Sequence, residues 1–206
     1  WVDDLGAAVV GVSDFDGNTA LHLSVIHSCN SNYCDSSFDP VVLEKLLSID
    51  GVDVNARDNL GLTPLNAVVQ SDHSDGAIAD IVKFLCSHGA SINTVDNNSW
   101  TPLHAAASRG LCKVAQALVE QGAELGTPDH NGLSPLQLAE SRMRRSRDLP
   151  RDYHRMSNTN LYDWFYPVVK YLRSAGSTVP TWWSPTNLVG RILSNESQSA
   201  LESFAN

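Results

Sequence analysis

Seven histidines and four cysteines are the residues of this 206-residue chain best suited to ligation or nucleophilic chemistry. One group draws attention. His27, Cys29 and Cys34 follow closely on one another, with His22 about a helical turn earlier. Three or four such nitrogen and sulfur donors are what a zinc ion takes. The spacing matches no familiar finger, and His22 has another use, so no metal and no cofactor is expected. The acidic residues are scattered over turns and helix surfaces, with no pair placed for general acid–base work. Neither GxGxxG nor GxxxxGK[ST] is present, and no serine sits in a nucleophile elbow. The chain is therefore expected not to be an enzyme.

The remaining chemistry is charge. Lys and Arg number 14 against 23 Asp and Glu, a formal charge of −9. That balance argues against a nucleic-acid-binding surface. No apolar run reaches the roughly 18 residues that span a bilayer. Yet Arg142, Arg144, Arg145, Arg147, Arg151 and Arg155 crowd into one stretch. Cys29, Cys34, Cys86 and Cys112 are dispersed, two of them in apolar helical segments, which suits reduced thiols of the cytoplasm or nucleus. The chain opens at Trp1, not Met, and reads as a piece of a longer protein.

What positions these residues is a repeat. "TALH", "TPLN", "TPLH" and "SPLQ" begin at residues 19, 63, 101 and 134, so they stand 44, 38 and 33 residues apart. Each follows a turn, at Asp14–Gly17, Asp58–Gly61, Asp96–Ser99 and Asp129–Gly132. Further upstream, Gly51, Gly89 and Gly122 close the apolar helical segments "VVLEKLLS", "IVKFLCSH" and "VAQALVEQ". Thr or Ser caps a helix with its hydroxyl, and Pro next to it lacks an N–H the first turn could not use. Gly suits the left-handed residue after a helix. One such helix pair cannot bury its own apolar face, so stacked neighbours must complete the core.

This pattern resembles the ankyrin repeat family over roughly residues 7 to 179. The resemblance implies an all-α solenoid of four helix pairs, each introduced by a β-turn finger. As a single domain it divides into the end of a partial repeat (1–13), repeats at 14–57, 58–95, 96–128 and 129–179, and a C-terminal cap (180–206). Ser99 replaces the usual finger glycine, which predicts strain there. Asn66 and Gln137 replace the histidine of the motif, which predicts weaker hydrogen bonding in those repeats.

The extra residues of repeats one, two and four fall between helix A and helix B. Equivalent turns line up along one edge of a stack, so 27–39, 71–76 and the basic stretch after the fourth helix A are expected to share that edge. Trp182, Trp183 and an apolar stripe from Leu188 to Phe204 are expected to cover the last repeat; the alternative is a tail that binds a partner.

The resemblance implies a binding module rather than a catalyst. Its variable contact positions fall on Phe15, Asn18, Arg57, Asn59, Leu62, Val95, Asn97, Trp100, Pro128, His130 and Leu133 at the fingers. On helix A they fall on Ser108, Arg109, Ser141 and Arg142. Trp100 is the expected hot spot. With Arg144 and Arg145 beside Arg142, the arginine cluster is expected either as a basic insertion loop, the partner then being an acidic protein or peptide bound by a monomer, or as an exposed extension of helix A with no partner of its own. The alternative is an intramolecular scaffold, docking to another part of a longer protein. The resemblance also marks Asn55 and Asn93 as positions that asparaginyl hydroxylase modifies in some ankyrin proteins.

Overall fold

A computed structural model describes residues 12–27, 40–147 and 161–176; the side chains of 146, 147 and 161–163 are outside the description. Eight helices appear among the described residues. They are α1 (Ala20–His27), α2 (Val41–Leu47), α3 (Pro64–Gln70), α4 (Asp75–Ser87), α5 (Pro102–Arg109), α6 (Cys112–Glu120), α7 (Pro135–Arg147) and α8 (Leu161–Ser174). The only strand-like pairing among these residues is an isolated bridge between Ser13 and Thr19. No described helix is long and apolar enough to cross a membrane.

The helix starts follow from the Thr-Pro pairs. Thr63 and Thr101 accept from the backbone N–H of Asn66 and His104, with Pro64 and Pro102 opening the helices. Gly110 stops α5 in the left-handed region at φ 73°, and only Leu111 follows before α6 begins. Gly51, Gly89 and Gly122 take positive φ after the B helices, as the sequence predicts, and Gly176 does so after α8. The residues between α1 and α2, and between α7 and α8, where two of the insertions are expected, lie outside the described residues apart from Pro40. The expected cap at 180–206 lies outside them too.

Stacking builds the core. The A helices α1, α3, α5 and α7 pack each on the next, and the B helices α4 and α6 do the same behind them, with α8 closing on α7 and α6. Leu65, Ile78, Leu85, Leu103, Leu118 and Leu172 are fully buried in one continuous cluster. Each such side chain contributes roughly 1.5–3 kcal/mol relative to exposure. No single helix pair could bury them, which is why α8 on the last repeat matters as much as the motif helices.

Polar side chains lock one repeat to the next. Asp75, in the first turn of α4, accepts from the N–H groups of Lys113 (2.9 Å) and Val114 (3.0 Å), satisfying orphan donors at the start of α6. Arg109 reaches back to the carbonyls of Val69 and Ser71 at the end of α3 and pairs with Asp72 at 3.6 Å. The indole N–H of Trp164 in α8 donates to the Arg109 carbonyl at 2.7 Å. Glu140 is buried on α7, one of its oxygens held by the guanidinium of Arg173 (Nε to Oε1, 3.0 Å).

Candidate protein-binding surface

Each finger is built by one aspartate. Oδ1 of Asp14, Asp58, Asp96 and Asp129 accepts from the backbone N–H two and four residues later, folding the turn around itself. The fingers then join. Asn59 N–H donates to Asp16 O (3.0 Å), Asn97 N–H to Leu60 O (3.0 Å), and His130 N–H to Asn98 O (3.4 Å). The Asn59 amide donates to Phe15 O and the Asn97 amide to Asn59 O. The result is a continuous wall of four turns.

The motif histidines tie this wall to the helices. Nδ1 of His104 receives the Thr101 N–H (3.2 Å) and the Thr101 hydroxyl (2.8 Å), so it is an acceptor. Nε2 must then carry the proton, which it donates to Leu133 O at 3.0 Å. His22 does the same between Thr19 and Leu62 O. Burial pushes the His104 pKa below its ordinary value, with Leu133 O acting in the other direction. The expected weakening at Asn66 and Gln137 has a geometric form. The shorter Asn66 reaches only Thr94 O, at 3.5 Å, and its Oδ1 is buried without a partner. Gln137 accepts from Ser134 N–H, but its buried Nε2 has none.

The sequence-predicted contact residues divide. Phe15 is fully exposed, with a relative accessibility of 104%. His130, Pro128, Arg142 and Arg145 are also exposed, and Asn18, Ser108, Leu133, Ser141, Val95 and Arg144 are half-buried. Others are engaged within the molecule. Leu62 is buried, and Trp100 is half-buried against the core rather than projecting freely. Arg57 donates to Val95 O, and Asn59 and Asn97 bridge neighbouring fingers. Arg109 serves the end of α3, whose last carbonyls lack helical partners. Asn55 and Asn93 likewise bridge repeats, accepting from Ser91 N–H (2.7 Å) and Glu124 N–H (2.9 Å).

Arg142, Arg144, Arg145 and Arg147 belong to α7 itself, so the described part of the arginine cluster extends helix A, as one of the two expected readings has it, and does not form the basic insertion loop of the other. Arg, Met and Glu favour helix, and the first breaker is Pro150. Arg151 and Arg155 lie outside the described residues.

Sequence reasoning missed a groove of about 400 Å3 between the first two fingers and the A helices behind them. Ile26, Leu60, Leu62 and Gln70 line it, with Asp16 and Asp58 among its polar residues. Leu60, at the second finger tip, is 64% exposed; an apolar residue in so polar a turn is the signal that could have found it. The Asn18 side chain donates to Asp14 and holds that carboxyl below the usual aspartate range. Among the described residues no three His, Cys, Asp or Glu stand close enough to hold a metal; Cys29 and Cys34 are outside them. Cys86 and Cys112 are free thiols, both pushed up in pKa by burial.

The family model for ankyrin repeats (3 copies) matches residues 34–129. Residues 34–129 are built of ankyrin repeats. Similar ankyrin-repeat sequences come from distant sources. The B-cell lymphoma 3 protein homolog of Mus musculus is 30% identical over 114 residues, 55% of this chain and 22% of that protein. The putative ankyrin repeat protein YahD of Escherichia coli (strain K12) is 38% identical over 81 residues, 38% of this chain and 39% of that protein. NF-kappa-B inhibitor alpha of Gallus gallus is 29% identical over 103 residues, 50% of this chain and 29% of that protein. The matches thus span well under two thirds of each relative. Ankyrin repeats generally mediate protein–protein interaction.

Proposed function

We propose that this chain binds a protein or peptide partner along the wall formed by its fingers and the A helices. The observation that carries the reading is Phe15, an aromatic ring wholly in solvent at the tip of a finger whose backbone is fixed by hydrogen bonds. Nothing within the described residues uses the ring, and large aromatics on rigid supports are favoured contact anchors. Leu60, 64% exposed on the next finger, extends the same apolar edge.

At the other end Arg142 and Arg145 are exposed on α7. They favour an acidic stretch of the partner, arriving at the fourth repeat. Such charges act chiefly on association rate. The test is partner capture with the wild-type chain beside Phe15→Ala, followed by binding kinetics. Phe15→Ala is expected to lose the partner at unchanged thermal stability. Charge reversal at Arg142 and Arg145 is expected to slow association at low salt. Capture undiminished by Phe15→Ala would remove the proposal.

A further inference from the structure

We infer that the groove between the first two fingers accepts a basic side chain, arginine or lysine, flanked by an apolar residue of the partner segment. This rests on the reading of the wall as a protein-binding surface and names the chemistry at one end of it. The lining is dominated by the apolar surface of Ile26, Leu60 and Leu62, with the Gln70 amide at the edge. Its charged residues are Asp16 and Asp58, and no lysine or arginine is among them.

The two carboxylates differ in freedom. Asp58 holds its own finger through two backbone N–H groups. The Asp16 side chain is exposed and makes no hydrogen bond or ion pair among the described residues. A neighbouring cation, Arg57, is turned away to Val95 O. The groove therefore presents unneutralised negative charge beside an apolar floor. A long basic side chain suits both: its methylene stem lies on the floor while its head reaches the carboxylates. An acidic segment would face Asp16, Asp58 and, in the same finger as Asp16, the anionic Asp14. The wall is thus polarised, acidic at repeats one and two and basic at α7. A partner segment with the opposite run of charge would have only one favourable direction along it.

The test uses two short fluorescein-labelled peptides with the same leucines, one with arginine and one with glutamate at the other positions. Their affinities for the wild-type chain are measured by anisotropy. The arginine peptide is expected to bind about tenfold or more tighter, and the preference to shrink at high salt. Asp16→Lys is expected to weaken it about fivefold or more. Asp80→Lys makes the same charge change on an exposed position of α4 and is expected to have little effect. Gln70→Trp, which fills the groove without altering charge, is expected to weaken binding as well. Equal binding of both peptides, or equal losses from Asp16→Lys and Asp80→Lys, would overturn the inference. If Phe15→Ala weakens the arginine peptide while Asp16→Lys does not, the groove chemistry fails and the binding wall stands. If neither substitution matters, both fail.

Discussion

A Cβ built on Gly61 would stand 2.5 Å from Oδ1 of Asn97 in the next finger. The same relation holds between Gly17 and Asn59, at 2.7 Å. The asparagine clasp therefore depends on glycine in the preceding finger. The third junction has neither: Ser99 occupies the glycine position and His130 the asparagine position. Ser99 is the only described non-glycine residue at positive φ, 61°. The backbone bond there is also longest, 3.4 Å against 3.0 Å at the other two. Strain at Ser99, expected from the sequence, is thus present, and it coincides with a missing clasp.

Ser99→Gly is expected to raise stability by about 1 kcal/mol through relief of the left-handed backbone. His130→Asn alone is expected to gain nothing, because the Ser99 side chain blocks the amide. Together they should exceed the sum of the single changes by roughly 0.5 kcal/mol or more. Urea denaturation of the four proteins in the double-mutant cycle checks this. Strict additivity would refute the coupling.

Acid should loosen the His104 link. Its folded pKa lies below the unfolded value, so the unfolded chain takes up the proton first. The contribution is complete above the ordinary value of 6.5 and is lost as pH falls through the folded pKa. Protonation at Nδ1 would also break the bond from the Thr101 N–H and force the Thr101 hydroxyl to turn from donor to acceptor. The midpoint of thermal unfolding is expected to fall between pH 7 and pH 5. His104→Gln is expected to be less stable at pH 7 and to lose less on acidification. An unaltered pH slope in that variant would count against the assignment.

Phe15→Ala and Trp100→Ala are expected to separate binding from folding. Phe15, wholly exposed, should cost about 2 kcal/mol of partner affinity with stability changed by under ~0.5 kcal/mol. Trp100 packs against the core and should lower stability by about 1–3 kcal/mol whatever it does to affinity. Calorimetric binding and denaturant melts on both variants decide the matter.

Gly110→Ala is expected to destabilise the chain by roughly 1–3 kcal/mol. The residue has φ 73°, and an added Cβ would run into the Trp164 indole. Hydrogen exchange should show the loss concentrated in α8. Uniform loss across all helices would argue against this contact as the cause.

The parts of the fold that were legible were local ones. Thr101-Pro102 and Asp96 act within a few residues, so their roles can be read from the letters alone. What could not be read is which partner a side chain meets some thirty or forty residues away. Arg109 sits where a contact residue is expected, yet the stacking brings the last carbonyls of α3 within its reach. Asn59 and Asn97 look like solvent-facing turn residues until the adjacent finger is in place. Glu140 did leave a trace: repeats two and three have Val69 and Ala107 at its position, so a carboxylate there needed a cation, and Arg173 supplies it. Leu60 stood out as an apolar residue in a polar turn, but the groove beside it was hidden because a concavity belongs to two repeats and is written in neither.

Trp164, Arg109 and Asp72 connect the fourth, third and second repeats like a tie-rod along the helix-turn edge, while the fingers are stitched along the opposite edge. A column fastened on both sides resists fanning open and does not shed its members one at a time. Pulled or heated, the second to fourth repeats should give way in a single step, and a guest seated on them would feel one stiff body instead of a chain of loose links.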